Sequence, residues 1–300
     1  MAKQITDLAG LTVLDDLDLI LTRDVSAGID KKMLGSDLKS TIQAFLDSVS
    51  AFVFPGQIVG LELSNSGGDP LKDIDIAPGR CSDSSATYHL VLGATLTKQL
   101  DAAWAEGTNL GGLFSGAIAA TTWYHVFLIR KDSDGTIDAG FDTDPGAANI
   151  PVGWTAYRRL GSILTDGTPD IVPFHQYGDR FIWDTTPNDV STALSTANRT
   201  AFIVTCPPNV LGLFQGNLST AASIETVYAV MSSSDQVDVA AASTNATILA
   251  STSAAVGLTM GAPFECRVDG SSQINSRGSA ARQYRVNTIG WIDTRGKYIA

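Results

Sequence analysis

The chain has little glutamate, cysteine or histidine and no long apolar run, and each shortage narrows what it can be. Of its 31 acidic residues only Glu62, Glu106, Glu225 and Glu265 are glutamates. Glutamate favours helices, whereas aspartate favours caps and turns, so the acid usage predicts a strand-and-turn protein. Three cysteines, Cys81, Cys206 and Cys266, are widely spaced and form no C-x-x-C pair. That excludes a disulfide framework or zinc ribbon and leaves buried, reduced thiols as the expectation. No basic residue occurs between Arg199 and Arg267, and the formal charge is −11. A surface built to bind nucleic-acid phosphates needs the opposite. The basic residues near the C-terminus, Arg277, Arg282, Arg285, Arg295 and Lys297, are read as strand-face solvation and intersubunit pairing. No stretch is long and apolar enough to predict a membrane span. The opening residues, Met1 to Asp7, lack a charged start followed by an apolar core, so a secretory signal is not expected.

Catalytic fingerprints are missing too. Ser115, in Leu113-Phe114-Ser115-Gly116, lacks the first glycine of a nucleophile elbow. Gly290 to Lys297 has one residue too many for a phosphate loop, and Tyr298 stands where Ser or Thr is required. The three histidines, His89, His125 and His175, belong to no H-E-x-x-H pattern. His125 lies in an apolar strand and is expected to be a hydrogen-bonded core residue. The aspartates from Asp132 to Asp144 have the carboxylate density of a calcium loop but depart from the EF-hand, which needs glycine at its sixth position and glutamate at its twelfth. They read as turn caps, with a divalent cation as the alternative. Neither an enzyme, a cofactor nor a metal centre is expected.

What the chain does contain is a change of texture near residue 50. Leu17 to Thr22 alternates as a short strand, Val25 to Asp30 supplies a turn, and Lys31, Lys32 and Met33 follow. Ser36 is a good N-cap and Asp37 suits the positive end of a helix dipole. Leu38, Ile42, Phe45 and Leu46 then fall at i, i+4, i+7, i+8 along a predicted helix. Burying four such side chains gives about 1.5–3 kcal/mol each, against about 1–2 kcal/mol for each of roughly a dozen ordered backbones. The stripe therefore needs a partner surface, in the same chain, a sister subunit or another protein. These four residues are the candidate attachment or oligomer interface.

From residue 51 the text becomes strands punctuated by turns. Trp123 to Ile129 is apolar on both alternating faces, as in a central strand covered on both sides. Lys131 to Thr136 is a turn and Ile137 to Phe141 returns beside that strand. Phe174 to Tyr177 and Arg180 to Trp183 flank Gly178-Asp179, a type II′ hairpin signal. Thr97 to Glu106 has helical spacing in Leu100, Ala103 and Trp104 and predicts a short surface helix, followed by a glycine-rich loop from Gly107 to Gly116. Beyond residue 184, strands are expected at Ala201–Thr205, Thr226–Met231, Phe264–Val268 and Gln283–Val286. The fold class is thus mainly β, with β-sandwich or jelly-roll-like layers and a small N-terminal α/β attachment segment. Three parts are drawn: an attachment segment over 1–50, a central β-rich domain over 51–184 and a C-terminal sandwich-like domain over 185–300.

Two stretches carry a resemblance. Trp123 to Ile129, Gly135 to Thr143 and Asn149 to Ile163 resemble a segment that recurs in phage tail-fibre and related virion proteins. The start, with Asp15 and Asp16, the Lys31-Lys32 pair and Ser36-Asp37-Leu38, is similar to the attachment segment of phage appendages. The resemblance implies a virion structural protein, most simply a tail fibre, that is assembled in the host cytoplasm. It implies docking to other tail or virion proteins through the N-terminus, a homotrimer, and host glycan or protein as the external partner. A capsid-surface head fibre or decoration protein would use the same parts. A host-glycan depolymerase is a further alternative, although such enzymes usually carry the repeated β-helix that is not seen in this sequence.

Overall fold

The computed structural model describes residues 19–24, 29–34, 54–253 and 257–297. The chain forms two compact units, Met1–Phe54 and Pro55–Ala300. Within the described residues every regular element is a strand, so the protein is mainly β with sandwich-like layers. In the first unit β1 (Leu19–Asp24) and β2 (Ile29–Leu34) pair antiparallel, with Asp24 opposite Ile29, which is the hairpin expected around Val25 to Asp30. Leu38, Ile42, Phe45 and Leu46, and the helix predicted to carry them, lie outside the described residues.

The second unit begins with a small antiparallel sheet, β3 (Ile58–Gly60), β6 (Gly79–Ser82) and β7 (His89–Leu92), and a seven-stranded sheet that is threaded through the same stretch. That larger sheet draws on β4 (Leu63–Asn65), β5 (Asp73–Ile76), β8 (Leu96–Ala103), β9 (Leu110–Leu113), β10 (Trp123–Arg130), β11 (Ile137–Asp142) and β12 (Ala156–Leu164). Its order is β12-β10-β11-β9-β8-β5-β4. Only β9 is parallel to its neighbours.

At β10 the run of apolar residues has a direct cause. Val126 and Leu128 enter the main core, while Phe127 and Ile129 face a second, smaller cluster with Trp154 and Ala147. Each fully buried side chain of this size contributes about 1.5–3 kcal/mol, so both faces of the strand hold it in place. The return strand β11 pairs as expected, Arg130 opposite Ile137, across a turn in which Gly135 takes φ +81°.

The helix expected over Thr97 to Glu106 does not form. Its first part is β8, in which Leu96, Lys98 and Leu100 all point inward. Pairing with β5 on one side and β9 on the other outweighs the local helical spacing. The expected glycine loop is likewise partly a strand. A Cβ at Gly111 would sit 2.0 Å from the Ala103 carbonyl oxygen, and one at Gly112 would sit 2.6 Å from the Phe141 ring. Both glycines allow close strand approach, not loop freedom.

The remaining strands are β13 (Phe174–Tyr177), β14 (Arg180–Trp183), β15 (Asn188–Ala193), β16 (Thr200–Ile203), β17 (Leu211–Ser219), β18 (Glu225–Ser232), β19 (Ile248–Thr252), β20 (Thr259–Arg267), β21 (Gln273–Gly278) and β22 (Gln283–Ile292). One sheet runs β13-β14-β22-β17-β20, with β15 also paired to β22. A second runs β16-β21-β18-β19. The hairpin at Gly178-Asp179 forms as read, Tyr177 opposite Arg180, with positive φ at Gly178. Because β13 and β14 share a sheet with β22, residues on both sides of position 184 belong to one sheet and one hydrophobic cluster.

Two buried arginines tie this unit together. Arg158 donates from Nε to the Arg295 carbonyl (2.8 Å) and from its terminal nitrogens to the carbonyls of Gly56 (3.2 Å) and Ser82 (3.5 Å). Arg295 donates to the carbonyls of Leu160 (2.9 Å), Leu61 (2.7 Å), Gly60 (3.1 Å) and Gly178 (3.4 Å). Arg295→Met would remove the guanidinium donors from the carbonyls of Leu160, Gly60 and Leu61 in a buried site, while Gly178 keeps its bond from Gln176. The expected loss is about 3–5 kcal/mol in denaturant unfolding. Arg295→Lys should recover only part of it, because an ammonium cannot reproduce the planar fork. A midpoint unchanged by either substitution would refute the clamp.

Candidate functional site

Where β4 meets β13, two strand edges approach without a backbone ladder and side chains bridge them. The Leu63 N–H donates to Gln176 Oε1 (2.7 Å), and Gln176 Nε2 donates to the Gly178 carbonyl (2.7 Å). The Phe174 N–H donates to Asn65 Oδ1 (3.3 Å), and the Gly178 N–H to Glu62 Oε1 (2.8 Å). Unpaired strand-edge groups are costly when buried, and one glutamine satisfies a donor and an acceptor at once. Above this seam lies a groove of about 250 Å³ lined by Glu62, Ser64, Ala77, His175 and Tyr177. Tyr177 is 68% exposed, and His175 Nε2 stands 3.1 Å from Asp184 Oδ1. Both members of that pair are more than half exposed, so it is screened by water and lacks the held geometry of an oriented general base. The groove offers an aromatic face and a few polar groups, which suits contact more than chemistry.

A second constellation has catalytic residue types but a structural setting. His125 Nδ1 lies 2.8 Å from Ser162 Oγ, where β10 and β12 are in register. Arg159 donates to the same oxygen (3.1 Å) and to Asp293 Oδ1 (2.6 Å). Ser162 is fully buried, so no substrate reaches its oxygen. Burial, with the Arg159 charge adding to it, holds the imidazole down to about 4. His125 is thus the hydrogen-bonded core histidine expected from the sequence.

Lys98 and Asp138 form a similar buried unit. Lys98 Nζ donates to the carbonyls of Ala105 (2.7 Å) and Gly107 (3.0 Å) and lies 3.3 Å from Asp138 Oδ1. Asp138 accepts the Gly107 N–H (2.9 Å). Burial is the largest influence on both partners, pushing Asp138 up and Lys98 down. The pair fastens the turn after β8 to β11.

The other residues singled out from sequence are dispersed. Asp132 accepts from Thr155, Asp134 from Thr136, Asp142 from Asn149 and Asp144 from Gly146. These are turn and loop contacts. Among the described residues no three His, Cys, Asp or Glu side chains gather as a metal site. The C-terminal basic residues do not form a patch: Arg295 is buried, Lys297 meets Asp179, Arg282 meets Glu225 and Arg277 meets Asp238. All three cysteines are buried and unbridged, and burial pushes Cys81 up to about 12 and Cys266 up to about 11. At Gly290 a Cβ would lie 2.0 Å from the Phe181 carbonyl oxygen, so this glycine serves strand packing. The Gln176 seam went unseen in the sequence, since an isolated glutamine in a strand has no signature.

Two outcomes follow from this geometry. The folded His125 binds its proton more weakly than the unfolded residue, whose ordinary value is 6.5. Its neutral form therefore contributes stability that is present above pH 6.5 and lost as pH falls towards 4. Between pH 7 and pH 5 the loss should be about 2 kcal/mol, and His125→Gln should flatten that part of the stability profile. An unchanged slope in the variant would show that other groups set it. Chelation of divalent cations should leave the melting temperature unmoved, because the Asp132 to Asp144 carboxylates are already engaged in turns. A large fall, reversed by calcium, would reinstate the cation alternative, as bound-ion stabilisation scales with RT ln(1 + [L]/Kd). In comparisons with known proteins, no protein-family model matches the chain and no curated protein matches it.

Proposed function

We propose that the chain is a structural protein of a bacteriophage particle, a tail fibre that docks through its N-terminal unit and presents its β-body outward. The observation that carries this reading is the division into Met1–Phe54 and Pro55–Ala300. It falls within a few residues of the texture change that separates the attachment segment from the body. The body supplies what an adhesive or shaft element needs. Its strands are largely antiparallel, and its hydrophobic cluster runs through both halves. The segments that resemble virion proteins become β10, β11 and β12, the adjoining strands at one side of the seven-stranded sheet.

In this proposal the role is mechanical and adhesive, not catalytic. The protein works in the virion as a homotrimer, with the N-terminal stripe Leu38, Ile42, Phe45 and Leu46 covered by sister subunits or by a tail protein. External contact is with host glycan or protein. Among the described residues no helix is long and apolar enough to cross a membrane.

Deleting Met1 to Ser50 should leave a soluble, β-rich body whose circular dichroism and melting resemble the full chain, while abolishing incorporation into particles. Ile42→Asp and Phe45→Asp should act in the same direction, since each places a charge in a surface that must lose water on docking. Particles containing normal amounts of the truncated chain would disprove the attachment role. Unfolding of the truncated body would show instead that the N-terminal residues belong to its core.

A further inference from the structure

The outer face of the sheet formed by β15, β22, β17 and β20 has a composition unlike the rest of this acidic chain. Strand registers place its outward side chains in three cross-strand rows. Asn188, Asn287, Gln215 and Pro263 make the first row. Ser191, Arg285, Asn217 and Gly261 make the second. The third, one position beyond the last β17–β22 pair, takes Ala193 opposite Gln283 and Ser219 opposite Thr259. On β15, β22 and β17 the alternate positions Val190, Tyr284, Val286, Phe214 and Leu218 are buried in the core, which sets the direction of the rows, whereas on the edge strand β20 Met260 is exposed and Ala262 and Phe264 are half-buried.

These rows contain five amides and three hydroxyls but no carboxylate and no lysine, in a chain of net charge −11. A sheet face that merely needs solvation is usually served by charged side chains, which also deter sheet-to-sheet association. Here the polar groups are neutral. They repeat at about 4.8 Å across strands and about 7 Å along them, each amide offering both donors and an acceptor. Some are already aligned by their neighbours. Asn188 Nδ2 donates to Asn287 Oδ1, Gln283 Nε2 donates to Ser191 Oγ (3.1 Å), and the hydroxyls of Ser219 and Thr259 are 2.9 Å apart.

Two further features give the face a centre. Arg285 is the one charged group in the rows, it is exposed, and among the described residues no carboxylate pairs with it. Two strands away in the same row, on the far side of Asn217, stands Gly261. A Cβ there would lie 2.7 Å from both Asn217 Oδ1 and Gln215 Nε2, so the glycine lets these two amides lie across β20. The opposite sheet of the sandwich differs. There Arg277 is engaged by Asp238 and the Thr196 carbonyl, and Arg199 binds the carbonyls of Ser233, Ser234 and Gln236. Chain segments cover that side's cations, whereas Arg285 stays open.

We infer that this face binds an anionic oligosaccharide: the amide and hydroxyl rows meet sugar hydroxyls, and Arg285 pairs with a carboxylate, sulfate or phosphate on the sugar. Sugar hydroxyls both donate and accept, as amides do, and the guanidinium fork matches an oxyanion in bidentate geometry. The inference rests on the adhesive role proposed above and names the ligand class and the surface.

The test uses the full-length chain on an array of oligosaccharides that share a backbone and differ in bearing carboxylate, sulfate, phosphate or no charge. At least one anionic form should bind at least tenfold more tightly than its neutral counterpart. Arg285→Ala should weaken that binding at least tenfold. Gly261→Ala should weaken it several-fold without moving the melting temperature, because the displaced atoms are ends of flexible side chains. Tyr177→Ala, in the groove, should leave it unchanged. Absence of any preference for an anionic form, or a preference untouched by Arg285→Ala and Gly261→Ala, would overturn the inference. Particle adsorption separates it from the reading beneath it. If particles carrying Arg285→Ala adsorb normally while particles lacking the chain do not, the face is wrong and the adhesive role survives. If particles lacking the chain adsorb normally, the adhesive role fails and the inference falls with it.

Discussion

The second unit depends on two guanidinium groups held in its interior by backbone carbonyls. Arg158 and Arg295 are among its most buried residues, and among the described residues no carboxylate accepts a hydrogen bond from either guanidinium. Removing a cation from water costs several kcal/mol, so the arrangement persists only because many charge-assisted bonds offset that cost. The carbonyls come from places where the chain leaves regular geometry. Gly56 and Gly60 have φ of +73° and +67°, and Leu61 and Arg295 have φ of +56° and +55°. Such turns rotate carbonyls out of any ladder, and buried carbonyls must find donors. A guanidinium supplies five donors in one rigid plane, more than any other side chain. Burial accordingly holds both guanidinium groups below their ordinary value.

This clamp explains why the halves of the unit share a core. Arg295 follows β22 directly, and its bonds reach β12, the segment after β3 and the turn between β13 and β14. With those ends gathered, the aromatic residues between the sheets close on one another. Trp291 stacks on Phe181 at 5.1 Å with 4° between planes and meets Trp123 edge-on at 5.6 Å and Trp183 at 4.9 Å. Aromatic pairs contribute about 0.5–1.5 kcal/mol beyond area burial. Trp183 directs its indole N–H to the Thr205 carbonyl (2.9 Å), whereas the Trp291 indole N–H has no partner among the described residues. An unpaired buried donor costs about 1–3 kcal/mol. The packing around Trp291 therefore outweighs a local polar loss, consistent with its place at the junction.

What was legible in the sequence is what local chemistry controls. β10 announced itself because both of its faces are buried, and the β13–β14 hairpin because Gly178 at the first turn position admits positive φ. β8 was misread because an inward lysine breaks the alternation of Leu96 and Leu100. Lys98 reads as a surface residue until Asp138, forty positions away, is placed beside it. The clamp was illegible for a related reason: its acceptors are backbone carbonyls, which carry no residue signature. Arg295 appeared in the sequence as one of a basic cluster, yet the structure buries it while leaving Arg285 exposed. Of the candidate surfaces, the groove at Tyr177 depends on Gln176 joining two strand edges. The amide face is assembled from strands that begin at residues 188, 211, 259 and 283, and no short window contains it.

The edges of that sheet bear on how a ligand could meet it. β20 is a terminal strand, and a long unpaired edge usually invites strand addition. Pro263 stands at its middle and carries no N–H, which is tolerated because an edge strand need not donate outward. The interruption makes continuous backbone pairing along this edge unfavourable. Thr259 to Glu265, moreover, contains no lysine and only one acid, so the edge is guarded by geometry and not by charge. A sheet whose edge resists backbone pairing, and whose face is amide-rich, favours recognition through side-chain hydrogen bonds. The polar face is thus left available beside a strand edge interrupted by Pro263, with Arg285 as the one charge in its three rows and Glu265 exposed farther along β20.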